Sequence, residues 1–577
     1  MLNVLGRLKV SLFFAAGLKR HRYKILLLLS LVLFAYLFWF SLPKPLFNDP
    51  LSSVVLSKNN NLLGAHISTD EQWRFPPLET TPNKFATAII AFEDKRFYSH
   101  FGVDPLAVVR AFYLNIKQGR VVSGASTLSM QVVRLAEHNP RRTVWEKFKE
   151  LFKAVRLEVS YSKQEVLALY SSHAPFGGNV VGLEAASWRY FGRTPEQLSW
   201  AESAMLAVLP NSPSLIHLGR HRQKLLAKRN RLLNKLYQQQ DLSKLEYDLA
   251  IIEPLPRKPK NLPRLTPHLL DTLIAKHPQQ QRFFTTIDET LQQRINQVAK
   301  HHAETLALSD VHNLSILVID NHNFEVVAYV GNAPVARAEK HGQAIDLIHR
   351  PRSTGSTLKP FLFAKMIEQG QVLPETLIAD TPVRYSGYQP KNFDRQFQGA
   401  VAAKQALARS LNIPAVNLLS QHGVESFLGF LRQMGMTTLH RKSRDYGLPL
   451  ILGGAETTLW ELTSLYANLA NIAQQQRSAV GTANYHQPFV LQGGKSSSKR
   501  RQEISPASAW MTLQALLEVT RPDESGYWRN FTSSHKIAWK TGTSFGHRDA
   551  WAMGTTPQYT VGVWVGNAAG EGRQELT

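Results

Sequence analysis

Three short strings occur in one order along this 577-residue chain: Ser356-Thr357-Leu358-Lys359, then Ser410-Leu411-Asn412, then Lys540-Thr541-Gly542. A serine three residues before a lysine sets an alcohol and an amine on one face of a helix, one turn apart. The amine can take the alcohol's proton, which acyl transfer through a serine ester needs. Ser410 offers a second hydroxyl to relay that proton, and the Lys540-Thr541-Gly542-Thr543 edge can bind a carboxylate and a peptide backbone. Alone, each string is cheap: Ser496-Ser497-Ser498-Lys499 and Ser57-Lys58-Asn59 fit the same patterns in polar stretches and read as accidents.

Context separates the three from such matches. Gly355 precedes Ser356, and Pro360-Phe361-Leu362-Phe363-Ala364 follows Lys359, as where a buried helix begins with proline in its first turn. Burial beside other cations depresses an amine's pKa and makes it a base. Ile537 to Thr543 reads as a strand, with Gly542 leaving room for a substrate backbone.

A second set of residues lies upstream. Glu93-Asp94-Lys95-Arg96-Phe97-Tyr98-Ser99-His100 closes one helical stretch; Gly124-Ala125-Ser126-Thr127-Leu128-Ser129-Met130-Gln131 and Glu146-Lys147-Phe148-Lys149-Glu150 follow. Singly, Glu93 and Glu150 read as solvated helix acids and His100 as a structural hydrogen-bonder.

The elements that must position these residues fall into two regions. Residues 50–245 are helical in pattern: 83–97, 105–118, 144–159, 163–171 and 198–209, then a basic amphipathic stretch from Arg220 to Arg231. A proline-rich linker spans 246–285. After it, Asp288 caps a helix to about Ala307, and 314–320 and 324–330 alternate as two strands of an α/β region over 286–577. Residues 474–505 read as a surface loop.

Lysine and arginine number 67 against 43 acidic residues, a net charge of +24. That balance suits an anionic partner, and since no nucleic-acid motif accompanies it, phospholipid head groups and a pyrophosphate fit better than nucleic acid. Cysteine is absent, which excludes disulfides, thiolate catalysis and zinc–thiolate sites. Ile25 to Leu42 is an uncharged apolar run, preceded by Arg7, Lys9, Lys19, Arg20, Arg22 and Lys24. It reads as an uncleaved transmembrane anchor at 25–42, with a basic tail at 1–24 in the cytoplasm and everything beyond outside.

Around Ser356, Ser410 and Lys540 the chain resembles the penicillin-recognising serine transpeptidases. The upstream strings, with Lys163 to Tyr170 and Gly182-Leu183-Glu184-Ala185-Ala186, resemble the five-motif set of glycosyltransferase family 51. Together they resemble the class A bifunctional penicillin-binding proteins, nearest the 1C type. This resemblance implies a mainly α, lysozyme-like glycosyltransferase domain, then an α/β transpeptidase domain with a central antiparallel sheet. It implies residence in a bacterial inner membrane as a single-pass protein, polymerising lipid II into glycan strands and crosslinking them at D-Ala-D-Ala stems, with β-lactams as inhibitors and other cell-wall synthesis proteins as further partners.

Carried over residue by residue, it makes Glu93 the general base and Glu150 the second carboxylate, acting directly or through a divalent ion (Mg2+ or Mn2+); no cofactor is otherwise required. Asp94, Phe97, His100, Ser126, Thr127, Gln131 and Lys147 become substrate contacts. Ser356 becomes the nucleophile, Lys359 its base, and Ser410, Asn412 and Lys540 the relay and grip. Thr541, Gly542 and Thr543 bind the peptide, and the N–H groups of Ser356 and Thr543 form an oxyanion hole. The stretch from Val108 to Val122 is expected to dip into the bilayer.

The chain departs from the family pattern at three places. Glu146 stands where an arginine is usual, with Arg142 or Arg156 available to compensate. Ser171-Ser172 replaces Leu-Asn after Tyr170. After the strand 559–565 the residues leave no room for the usual closing helix, so a truncated transpeptidase domain is expected. The readings that compete are a glycosyltransferase whose penicillin-binding domain is a non-crosslinking sensor or scaffold, and a D,D-carboxypeptidase or β-lactamase.

Overall fold

The computed structural model describes residues 24–119, 124–140, 143–210, 221–333, 341–385, 387–475, 484–496, 501–519 and 535–572. Two compact units emerge: residues 1–53 with 66–262, and residues 54–65 with 263–577.

The first unit is helical. Helix α1 (Asn83–Glu93) buries Phe85, Ala88 and Ile89, the 3.6-residue spacing of one face. Helix α2 (Pro105–Gln118) starts at Asp104, whose side chain accepts from Ala107 N, and stops at left-handed Gly119. Among its residues only Ala111 is buried. Helices α3 (Leu128–Ala136), α4 (Val144–Ser160) and α5 (Lys163–His173) begin at Thr127, Thr143 and Ser162, each capping through its side chain. Helix α6 (Arg222–Gln238) takes up the basic stretch and buries Leu225, Leu232, Leu233 and Leu236. Polar caps mark the starts of α2, α4 and α5 where the sequence pattern put them, whereas α3 was not expected and α1 stops at Glu93, short of the expected 97.

Within the apolar run, the described residues are helical over 24–39 and exposed almost throughout. Among the described residues no helix is long and apolar enough to cross a membrane. The basic residues before Lys24 lie outside the described residues, as do Arg120 and Arg142.

In the second unit a small sheet joins β1 (Ser53–Leu56), β2 (Leu62–His66) and β3 (Arg282–Phe284), with β1 and β3 parallel. Helix α7 (Glu289–Ala307) is capped by Asp288, whose side chain accepts from Leu291 N. Strands β4 (Asn313–Asp320) and β5 (Val326–Val330) follow, then helix α8 (Lys359–Glu368), the pair β6 (Leu377–Asp380) and β7 (Gly399–Ala402), and helices α9 (Asn412–His422) and α10 (Leu459–Gln474). Strands β8 (Ala538–Thr543), β9 (Asp549–Thr555) and β10 (Tyr559–Gly566) complete a five-stranded sheet of order β8-β9-β10-β4-β5, antiparallel throughout.

Alternation sorts its two faces. Leu317 and Ile319 point into the main core with Leu459 and Leu462 of α10, while Leu314, Ile316 and Val318 meet Ala299 and Ala303 of α7. Val561, Val563 and Val565 on the α7 face are half-buried. Strand β8 lies at the sheet's edge, which leaves its outer side open to pair with a substrate backbone.

Candidate active sites

In the first unit, α1 ends at Glu93 beside the start of α3, and a cleft of about 350 Å³ opens between the end of α1, the first turns of α2 and the 124–127 loop. Glu93, Asp94, Lys95, Arg96, Arg110 and Ser126 are among its lining residues. Glu93 Oε2 accepts from Gln131 Nε2 at 2.9 Å. One turn further along α3, Arg134 donates through Nε and Nη2 to the two oxygens of Glu150, at 2.7 and 2.8 Å. Lys147 Nζ joins Glu150 at 3.0 Å and Ser126 Oγ at 2.5 Å. Two polar groups thus lie along α3, the Glu93–Gln131 pair and, one turn on, a chain from Arg134 through Glu150 and Lys147 to Ser126.

Burial would raise the carboxyl of Glu150, but hydrogen bonds from Arg134 and Lys147 and their charges hold it below the usual carboxylate value. Glu150 is therefore an anion whose oxygens are already taken by two cations. Among the described residues no group of three histidine or acidic side chains is placed to hold a metal. Two cations on its oxygens are a donor set that does not suit a divalent ion.

Phe97 is fully buried under the Lys163 ammonium, and the His100 side chain is 4% exposed with Nε2 on both Asp94 oxygens, at 3.0 and 3.1 Å. Neither side chain is among those lining the cleft. Asp94 also accepts from Leu128 N at 3.0 Å, and Thr127 caps α3 while donating to Gly102 O at 2.6 Å. These bonds tie Glu93's neighbour to the start of the helix that carries Gln131 and Arg134.

Arg156 does not compensate for Glu146: its guanidinium lies 4.3 Å from the Trp39 ring centroid and donates to Trp39 O. Glu146 is instead paired with Lys149 at 2.8 Å. Ser171 and Ser172 serve the chain at 78–81, Ser172 Oγ accepting from Leu78 N at 3.0 Å and Ser171 Oγ lying 3.0 Å from Thr81 Oγ1. Arg134 was missed from sequence. Its only signal was a cation one turn after Gln131.

In the second unit the three strings converge. Ser356 sits in the turn 355–358 and Lys359 opens α8. Lys359 Nζ donates to Ser410 O at 2.7 Å, Leu411 O at 3.1 Å and Asn412 Oδ1 at 2.8 Å. Lys540 Nζ reaches Ser410 Oγ at 2.7 Å and Thr541 O at 2.7 Å. Among the described residues no hydrogen bond joins Ser356 Oγ to Lys359 Nζ, so the one-turn contact expected from spacing is not closed here.

Both amines are buried, at 3% and 2% exposure. Burial, and secondly the charge of Lys540, push Lys359 well below the ordinary lysine value; burial brings Lys540 down to about 7.

The serine turn is pressed onto β8. A Cβ on Gly355, whose φ is +51°, would stand 2.6 Å from Thr543 N, and one on Gly542 would stand 2.6 Å from Thr357 Cγ2 and 3.3 Å from Ser356 N. Only hydrogen at both positions lets the Ser356 and Thr543 amides come this close. Tyr466 Oη donates to Thr357 O at 2.7 Å and Trp551 Nε1 to Ser353 O at 2.7 Å, bracing the turn from α10 and β9. Neither residue belongs to a motif string, so sequence gave no signal for them.

Comparison with known proteins agrees with both regions. A transglycosylase family model matches residues 59–237, and a penicillin binding protein transpeptidase domain model matches 314–575. Penicillin-binding protein 1C of Escherichia coli is 33% identical over 529 residues, covering 92% of this chain and 66% of that protein. Penicillin-binding protein 1B of Vibrio cholerae is 27% identical, covering 86% of this chain and again 66% of the relative. Penicillin-binding protein 1A of Aquifex aeolicus is 24% identical, covering 94% and 86%. The chain therefore spans about two thirds of the length of the first two. Carrying both domains in this order, it belongs to the class A penicillin-binding proteins.

Proposed function

We propose that this chain synthesises peptidoglycan in two steps, polymerising lipid II in its first unit and crosslinking stem peptides through an acyl-serine in its second. The observation that carries the second step is the array of Lys359, Ser410 and Lys540 around one hydroxyl; those for the first are the Glu93–Gln131 pair and the Arg134–Glu150–Lys147 chain that ends on Ser126, Glu93 and Ser126 both lining the cleft.

In the first unit Glu93 takes the proton from the attacking sugar hydroxyl. Gln131 holds one of its oxygens and so fixes how the carboxylate is turned. Glu150, kept ionised, is no proton donor. It orients Arg134 and Lys147, whose charges meet the departing pyrophosphate beside Ser126. Residues 25–42 act as the single membrane anchor. Leu106, Val109, Phe112 and Ile116 of α2, with Val144, Trp145 and Phe148 of α4, are exposed apolar side chains that suit contact with lipid, where the substrate's tail lies.

In the second unit neutral Lys359 takes the Ser356 proton as Oγ bonds to the penultimate D-Ala carbonyl carbon. The three acceptors on Lys359 are what its ammonium needs once that proton has moved. The proton then passes by Ser410 to the departing terminal D-Ala amine as the C–N bond breaks, and an acceptor amine later resolves the ester. The Ser356 and Thr543 amides meet the oxyanion, each supplying roughly 3 kcal/mol by the measured scale for such donors.

The test is separation of the two steps. Glu93→Gln, which keeps an acceptor for Gln131, is expected to stop polymerisation of lipid-linked disaccharide while fluorescent penicillin still labels Ser356; Ser356→Ala is expected to do the reverse. Polymerisation at the parent rate by Glu93→Gln overturns the first assignment. Penicillin labelling without crosslinks in a stem-peptide assay supports the sensor reading in place of the second.

A further inference from the structure

The helix that carries Asn412 has no cap of its own. Leu411 stands at the N-cap of α9 with no side-chain oxygen, and a helix start leaves its first N–H groups without intrahelical partners. Each is nevertheless accounted for. Leu411 N donates to Ala406 O at 2.9 Å, and Pro414 has no N–H. Asn412 N and Ile413 N both donate to Asn392 Oδ1, at 2.9 and 3.2 Å.

The cap therefore comes from a loop 20 residues upstream of Asn412. Asn392 is itself 3% exposed and fixed at its other end: Nδ2 donates to Asp380 Oδ1 and to Gln396 O, both at 2.8 Å. Asp380 is fully buried, and its second oxygen accepts from Gln398 N at 2.9 Å. The neighbouring Lys391 O accepts from Asn412 Nδ2 at 2.8 Å, which leaves Asn412 Oδ1 to face Lys359 Nζ at 2.8 Å.

One residue before the cap, Ser410 has φ +58°. A non-glycine residue keeps this left-handed conformation only where its surroundings impose it. That turn is what sends Ser410 Oγ to Lys540 and Ser410 O to Lys359.

We propose that Asn392, anchored on buried Asp380, is a positioning residue of the transpeptidase centre. It holds the first turn of α9 so that Ser410 stays between the two lysines and Asn412 stays turned toward Lys359. The inference rests on the transpeptidase reading above and adds a residue that acts through Asn412 and Ser410. The side chain must be an amide. It accepts from two helix N–H groups at one end and donates to a carboxylate at the other, so alanine leaves two N–H groups and a buried carboxylate short of partners, and aspartate sets two carboxylates against each other.

The test uses the full chain in detergent and measures the second-order rate of acylation by fluorescent penicillin across pH 6 to 9 (about one unit below neutrality to two above it), with thermal unfolding alongside. Asn392→Ala is expected to lose about tenfold or more in rate and to change the acid limb of the pH profile, because Lys359 loses its fixed partner. Asn392→Asp is expected to be slow as well. Combined with Asp380→Asn it regains most of the parent rate, since the exchange keeps an acceptor at the helix start and an amide donor beneath it.

An Asn392→Ala chain with the parent's rate and pH profile overturns the proposal, as does an exchange variant no faster than Asn392→Asp alone. If Asn392→Ala does not fold, the exchange pair decides. A parent chain that takes no penicillin at Ser356 sinks the transpeptidase reading and this inference with it, whereas a labelled parent beside an undiminished Asn392→Ala sinks the inference alone.

Discussion

Lys540 Nζ lies 2.7 Å from Ser410 Oγ, and the charge of Lys540 is also the second cause of the low pKa of Lys359, after burial. One ammonium thus both touches the relay hydroxyl and keeps the base neutral. Replacing it with methionine removes that repulsion, so Lys359 ionises more readily. The acid limb of the penicillin acylation profile should move to higher pH in Lys540→Met, with a rate loss on the order of a hundredfold at neutrality. Stopped-flow acylation between pH 6 and pH 9, about the range around neutrality, checks it; an unmoved limb contradicts it.

Stability should follow the same amine. Lys540 has a folded pKa of about 7, below its unfolded value of 10.5. Between those values the unfolded chain binds more protons, so stability rises with pH across the interval and is lowest below 7. Guanidinium midpoints measured at several pH values within it should increase for the parent and stay flatter for Lys540→Met.

Arg134 is expected to hold the first unit together as well as its cleft. Arg134→Leu leaves Glu150, whose side chain is 6% exposed, with only Lys147 as a counter-ion, at a cost of roughly 2–4 kcal/mol. Because Glu150's carboxyl is lowered in the folded state, its contribution is present above the ordinary carboxylate range and fades as pH falls through the folded value. The variant should therefore lose stability at neutral pH and show a shallower acid dependence. Adding Glu150→Leu should recover part of the loss in chemical denaturation.

Gly355→Ala should abolish penicillin labelling while leaving glycan polymerisation intact. Its Cβ would meet Thr543 N at 2.6 Å in a left-handed conformation, so the turn must leave β8 and the paired amides separate. Losing one oxyanion donor costs about 10²–10³ in rate. Labelling at more than a tenth of the parent rate, about the scale of one 1.4 kcal/mol effect, contradicts this.

The helices from 105 and 163, the cap at Asp288, the three strings and the alternating strands were legible because each is a local pattern, read within one turn or one strand. What escaped was non-local. Asn392 caps a helix that begins 20 residues later, and Arg134 gains its meaning only when α4 brings Glu150 against it. The charge reversal at Glu146 looked like a defect until Lys149, one turn on, was seen to neutralise it. The placement of 54–65 with the second unit carried no compositional mark at all, since β1 is an ordinary apolar strand whose partner is remote.

That last pairing has a consequence for how the protein is made. Val54 is matched with Arg282, so β1 leaves the ribosome about 230 residues ahead of the strand that completes it. Contacts this distant in sequence form late. In the interval β1 and β2 present a bare edge to any other extended chain, and a nascent or nicked product ending before residue 282 keeps that edge for good. Aggregation of such fragments, more than loss of either catalytic centre, is the characteristic failure this topology invites.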